Sequence, residues 1–197
     1  MTLRLIPVLL ALTLITACAS SPPTRFYTLD PVAPAARAAS SGQGAPVKVD
    51  AVHIPPALDR NSMVRGENGN QLVISSQDRW GGDLGETIRK VLTQDLASRL
   101  PSGMVVAPDA PAPPNAHGLV FDILTFQPRS GGEVVLDADW TLLEGTQTNP
   151  VLRRSEHLTT TAAPTAQGEA GAMSQLLGQL ADRVAAHLGS AAGDAQR

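Results

Sequence analysis

Asp83-Leu-Gly-Glu-Thr-Ile-Arg-Lys-Val-Leu-Thr-Gln-Asp-Leu-Ala-Ser-Arg-Leu100 is the stretch from which the fold class of this chain is read. Leu84, Ile88, Val91, Leu92, Leu96 and Leu100 recur at helical spacing and make one apolar stripe. Asp83 reads as an N-cap, with Glu86 three residues on to complete a capping box. Pro101 and Gly103 stop the helix. A single apolar stripe has to be buried against another element, and the flanking sequence reads as strands.

Upstream, Val47, Val49 and Ala51 alternate with Lys48 and Asp50, the pattern of a half-buried strand over Val47–Ile54 that Pro55-Pro56 closes. Ser62–Arg65 and Gln71–Ser75 flank Gly66–Asn70, whose Asn-Gly pair predicts a hairpin. Arg25–Leu29 is rich in strand formers. Downstream, Met104–Ala107 reads as a short strand, and Leu119–Gln127, Glu133–Leu143 and Val151–Thr161 as three longer ones. The last has high strand propensity, but Arg153, Arg154 and Glu156 leave little of it for a core. A second amphipathic helix runs from Met173 to Leu188, weakened at Gly178 by about 1 kcal/mol relative to alanine. The expected architecture is α+β: a mostly antiparallel sheet with both amphipathic helices packed on one face.

The N-terminus carries a different message. Arg4, the apolar run Leu5–Leu14 and the small residues before Cys18 have the order of a secretory signal. The run is too short to span a bilayer as a helix. Cys18 is the only cysteine, so no disulfide can brace the fold. The expected organisation is a signal peptide over 1–17, a tether over 18–24 and one periplasmic domain over 25–190. The domain carries a flexible loop over 31–46, and a disordered tail over 191–197 follows it.

Composition narrows the function. Without residues 1–17 the 15 basic residues become 14 against 18 acidic ones, and no basic run exists, which argues against nucleic acid as a partner. His53, His117, His157 and His187 are too scattered for a local metal signature. Asp137 and Asp139 share a strand face but lack a matched partner for acid–base work, and a solvated face is the expected role. No phosphate loop or nucleophile elbow is present. Catalytic residues, metal ligands and cofactors are therefore expected to be absent, and the chain is not expected to be an enzyme.

Leu14-Ile15-Thr16-Ala17-Cys18 resembles the lipobox of bacterial lipoproteins. The resemblance implies cleavage before Cys18 and attachment of a diacylglycerol and an N-acyl chain there, an anchor far firmer than a single acyl chain. Ala19, rather than Asp, implies the outer membrane. Phe26-Tyr27-Thr28-Leu29, then Ile54-Pro55-Pro56-Ala57-Leu58-Asp59-Arg60, Met63-Val64-Arg65, Arg79-Trp80, a long helix, three strands and a final helix follow in order. In that order the mature chain resembles the PqiC/YmbA-type lipoproteins, auxiliary subunits of a membrane-integrity-associated ABC transport system.

That resemblance implies a lipid-anchored protein on the periplasmic face of the outer membrane. Its partners would be an MCE-domain protein and an inner-membrane permease complex, and the subunit would form a homo-oligomeric ring. Cargo would be lipid or another hydrophobic molecule. Ile54, Pro55, Leu58, Asp59, Arg60, Arg79 and Trp80 are the expected partner interface, because Trp and Arg dominate binding hot spots. Two roles compete with that: Trp80 packing under the hairpin, and a rigid proline-stiffened turn over Ile54–Arg60. An LptE-like outer-membrane assembly lipoprotein is the alternative function.

Overall fold

The computed structural model describes residues 22–34, 44–67, 70–145 and 150–194. Cys18, the signal peptide and residues 35–43 of the expected loop lie outside them. Eight strands and two helices follow in the order β1 (Arg25–Tyr27), β2 (Val47–His53), β3 (Ser62–Gly66), β4 (Leu72–Trp80), α1 (Leu84–Arg99), β5 (Val105–Val106), β6 (His117–Pro128), β7 (Glu133–Leu143), β8 (Pro150–Thr161) and α2 (Ala166–Asp194).

The α+β class holds, but the strands form two mixed sheets rather than one mostly antiparallel sheet. A wide sheet has the order β5-β2-β6-β7-β8, and a small one the order β1-β4-β3. β2 runs parallel to both β5 and β6, and β1 parallel to β4. β3–β4, β6–β7 and β7–β8 are antiparallel. The reason lies in the connections. A hairpin reverses direction, whereas a parallel neighbour needs a crossover, and α1 lies in the long segment between β2 and β6. The sheets meet where Gly66 bridges Arg129 and the Ser130 N–H donates to the Gly66 carbonyl.

Both helices share one hydrophobic core with the wide sheet. Val49, Leu119, Phe121, Leu136 and Trp140 from the strands pack with Ile88, Leu92 and Leu96 of α1 and Leu176, Leu180 and Val184 of α2. Each fully buried side chain of this kind contributes about 1.5–3 kcal/mol. The α1 start is as expected: the Asp83 carboxylate accepts the Glu86 N–H at 2.8 Å.

Helix α2 begins seven residues before Met173 and continues past Leu188 to Asp194. Gly168 and Gly171 hid its first two turns, where Ala166, Ala170 and Ala172 are buried small residues. Thr165 caps this end by accepting the Gly168 N–H at 3.0 Å.

An internal ion network ties the start of the chain to both helices. The buried Arg99 guanidinium donates to Asp182 at 2.6 Å and to the Asp95 and Val32 carbonyls, while Asp95 accepts the Val32 N–H at 2.7 Å. Val32, near the start of the expected loop, is thus held against both helices. Gly178 finds its explanation here. A Cβ at that position would lie 3.0 Å from Val32 Cβ and 3.3 Å from Arg99 Nη2. The helix tolerates glycine there because the network needs the space.

Candidate functional site

The expected interface segment divides by burial. Leu58 and Trp80 are 4% and 6% exposed and belong to the core. Trp80 ends β4 opposite Tyr27, and its N–H donates to the Asn61 carbonyl. Its side chain belongs to the hydrophobic core. Ile54 and Pro55 are half-buried, and Ile54 packs against the core. Leu58, Asp59 and Arg60 continue a tight turn in which the Leu58 and Asp59 N–H groups donate to the Pro55 carbonyl and Arg60 Nε to Ala57. Asp59, Arg60 and Arg79 are exposed. Arg79 sits between Phe26 of β1 and Ser62 of β3 in one row across the small sheet.

That sheet also holds what sequence reading missed. Phe26 is 67% exposed, and Leu72, Val73 and Ile74 of β4 are 43%, 38% and 49% exposed. Alternation predicts such residues to be half-buried. The β3–β4 register is also irregular: between the pairs Ser62–Arg79 and Val64–Ile74, two steps along β3 match five along β4. Ser75 stabilises the irregularity by accepting the Asp78 N–H and donating to its carboxylate. The Asn68-Gly69 turn lies outside the described residues.

Between the small sheet and the start of α2 is an open cleft of about 820 Å³. Arg25, Arg65 and Arg129 line it with Tyr27, Asp78 and Glu169. The cations are already engaged. Arg65 donates to both Glu169 oxygens at 2.6 and 2.8 Å, which holds its guanidinium pKa above the ordinary value. Arg25 pairs with Asp78 at 2.8 Å, and Arg129 reaches Glu133 at 3.8 Å.

Asp137 and Asp139 lie on the outer face of the wide sheet, away from that cleft. Asp137 bonds His157 at 2.5 Å, Asp139 accepts from Ser155 at 2.6 Å and Arg153 at 3.1 Å, and Asp122 bonds His53 at 2.8 Å. The Ser155 and Arg153 bonds hold Asp139 below the usual carboxylate range. Asp122 and Asp139 are direct cross-strand neighbours, and their repulsion is offset by a separate partner for each. Each carboxylate is committed to a neighbour on an open face, as expected for a solvated surface. Among the described residues no group of three or more His, Cys, Asp or Glu side chains is placed to hold a metal ion. No described helix is long and apolar enough to cross a membrane.

Fold and surfaces together define an α+β domain of two sheets and two helices, with a paired polar face on the wide sheet and exposed apolar side chains on the small one. The chain belongs to the family of ABC-type transport auxiliary lipoprotein components, which it matches over residues 27–185. The PqiC/YmbA-type resemblance therefore holds. A Xanthomonas campestris protein of the DUF330 family superposes with a TM-score of 0.70 at 15% identity, covering 88% of this chain and 100% of its own. The crystal structure of an uncharacterized protein superposes with a TM-score of 0.66 at 22% identity, covering 86% and 98%. At such identities the likeness establishes the fold. No protein with a curated description matches the chain.

Proposed function

We propose that this protein is a lipid-anchored accessory subunit of an MCE-type system that moves lipid or other hydrophobic molecules between membranes. It acts by docking and assembly from the periplasmic face of the outer membrane, through acylated Cys18. Family membership supports the transport association. The observation that carries the docking role is the concentration of uncovered apolar side chains on one small sheet close to the anchor. Phe26, Leu72, Val73 and Ile74 all lie there. Arg25 is seven residue steps beyond Cys18, a reach of about 25 Å at full extension, so this end of the body stays near the membrane. Apolar residues held exposed in this way are the material of an interaction surface.

Affinity capture of the full-length protein from solubilised envelopes tests the proposal. Recovery of an MCE-domain protein and a permease sustains it. Recovery of a β-barrel protein alone supports an LptE-like assembly role and overturns it. Full function of a freely diffusing Cys18→Ser protein would remove the anchor from the mechanism.

A further inference from the structure

The cleft between the small sheet and α2 holds more cationic donors than its ion pairs use. Arg25 comes from β1, Arg65 from β3 and Arg129 from the turn between β6 and β7. They share the cleft with two carboxylates, Asp78 and Glu169. Those carboxylates are the buried members, each 10% exposed, whereas the side chains of Arg25, Arg65 and Arg129 are 61%, 29% and 49% exposed. An anion entering from solvent meets the cations before the carboxylates.

Each pair also spares part of its guanidinium. Arg65 reaches both Glu169 oxygens through Nε alone, so neither of its terminal nitrogens donates to a described residue. Arg25 gives Nε and Nη2 to one oxygen of Asp78 and keeps Nη1. Arg129 stands 3.8 Å from Glu133, beyond hydrogen-bond length. A guanidinium held along one edge by a buried carboxylate is oriented rather than saturated, because its remaining N–H groups keep a fixed fork geometry. The carboxylates thus fix where the free donors stand and offset the mutual repulsion of three cations.

We propose that this cleft binds a phosphate ester through the free N–H groups of Arg25, Arg65 and Arg129. The three guanidiniums come from three separate elements of the fold. A planar carboxylate is satisfied by a single fork, whereas a tetrahedral phosphate accepts hydrogen bonds from several sides. Cations outnumber carboxylates three to two along the lining, so the cleft attracts negative charge. Ala166 and Gln167 in the first turn of α2 line it as well, and the positive end of that helix adds to the attraction. The volume of about 820 Å³ leaves room for the substituent of the ester beyond the phosphate itself. Val73, 38% exposed, is the direct cross-strand partner of Arg65 and shares its face of the small sheet. An apolar side chain beside the cations makes a lipid headgroup, rather than a soluble ester, the expected source of the phosphate.

The inference needs no partner protein, so it stands or falls separately from the docking role. Tyr27 lines the cleft and is the single tyrosine of the chain. Full-length protein labelled with 3-fluorotyrosine, in an uncharged maltoside detergent, therefore carries one fluorine resonance, and it reports on the site. Titration with dihexanoylphosphatidylglycerol should shift that resonance saturably. Its deacylated headgroup, glycerophosphoglycerol, and inorganic phosphate should do so at concentrations about tenfold higher. Equal potency of lipid and deacylated headgroup would keep the phosphate site and overturn the lipid source. Arg129→Gln and Arg25→Gln, both at well-exposed side chains, should each weaken binding about tenfold while the melting profile stays in place. A resonance that none of the three phosphates shifts overturns the inference. So does an Arg25→Gln/Arg129→Gln double variant that binds as tightly as the unsubstituted protein, or an equal response to dihexanoylglycerol, which carries the chains and no phosphate.

Discussion

The two sheets deal with their exposed faces in opposite ways. On the wide sheet, the outward carboxylates of Asp122, Asp137 and Asp139 each have a hydrogen-bonding partner on an adjacent strand, so the face is electrostatically self-contained. On the small sheet, Phe26 and Leu72–Ile74 are exposed, and Arg79, the cross-strand neighbour of Phe26, has no ion-pair partner among the described residues. A face that satisfies its own groups gains little from a partner. A face that leaves apolar area in water gains about 25 cal/mol for each Å² a partner removes.

The largest effects fall where the small sheet is attached to the rest. Trp80→Ala empties a core site beneath it and should cost about 3–5 kcal/mol, read as a shift of the denaturant midpoint. A folded Trp80→Ala protein of unchanged midpoint that fails to bind its partner would return Trp80 to the interface. Arg99→Ala should cost a similar amount, about 3–5 kcal/mol, because it leaves Asp95 buried beside a lost counter-charge. It also frees Val32, so proteolysis should cut first near residues 31–34, next to β1. Unchanged cleavage there would mean the network does not hold the small sheet in place.

The same network sets a pH dependence. Burial, opposed by the Val32 N–H and by Arg99, pushes Asp95 up from 3.8 to about 6. A folded value above the unfolded one means that the folded protein takes up the extra proton between about pH 4 and pH 6. This contribution to stability is therefore complete below about pH 4 and lost as pH rises through 6. The two-unit gap corresponds to about 3 kcal/mol at most. Subtracting the unfolding free energy of Asp95→Asn from that of the unsubstituted protein at each pH isolates it, and a flat difference would contradict the assignment. By contrast, His157→Ala removes one exposed pair and should change stability by less than about 1 kcal/mol.

How much of this was legible in sequence depended on whether a segment's neighbours were local. The α1 stripe and its Asp83 cap could be read directly, because every residue that defines them lies within one short stretch. The alternation of β7 was equally plain: Val134, Leu136, Ala138, Trp140 and Leu142 are all buried. What could not be read was direction, because nothing in a strand's own residues records whether its neighbour arrives by hairpin or by crossover. The start of α2 was hidden by Gly168 and Gly171, which lower helix propensity at positions where packing favours small residues. Gly178 looked like a weakness until Val32, far away in sequence, was found against it. Asp95 and Arg99 at i and i+4 beside an apolar stripe were a visible sign of a buried pair. Their third partner, Asp182, was not. Among the expected interface residues, sequence could not separate the buried Leu58 and Trp80 from the exposed Asp59, Arg60 and Arg79.

The smallest effect on stability should accompany the clearest effect on function. Ile74 is 49% exposed at the outer part of β4, opposite Val64. Replacing it with glutamine removes apolar area that is already half in water. Stability should move by no more than about 0.5 kcal/mol. A partner that buries Ile74 would lose the burial of a branched side chain and would have to desolvate an amide instead. Ile74→Gln combined with Leu72→Gln should therefore lower recovery of the captured partner at least tenfold while the melting profile stays in place. The corresponding change on the wide sheet, Leu124→Gln at a side chain 59% exposed, should leave recovery unchanged. Equal losses from both sheets would show that uncovered apolar area does not mark the docking face. No loss from the small sheet would leave Arg60 and Arg79 as the side chains to test next.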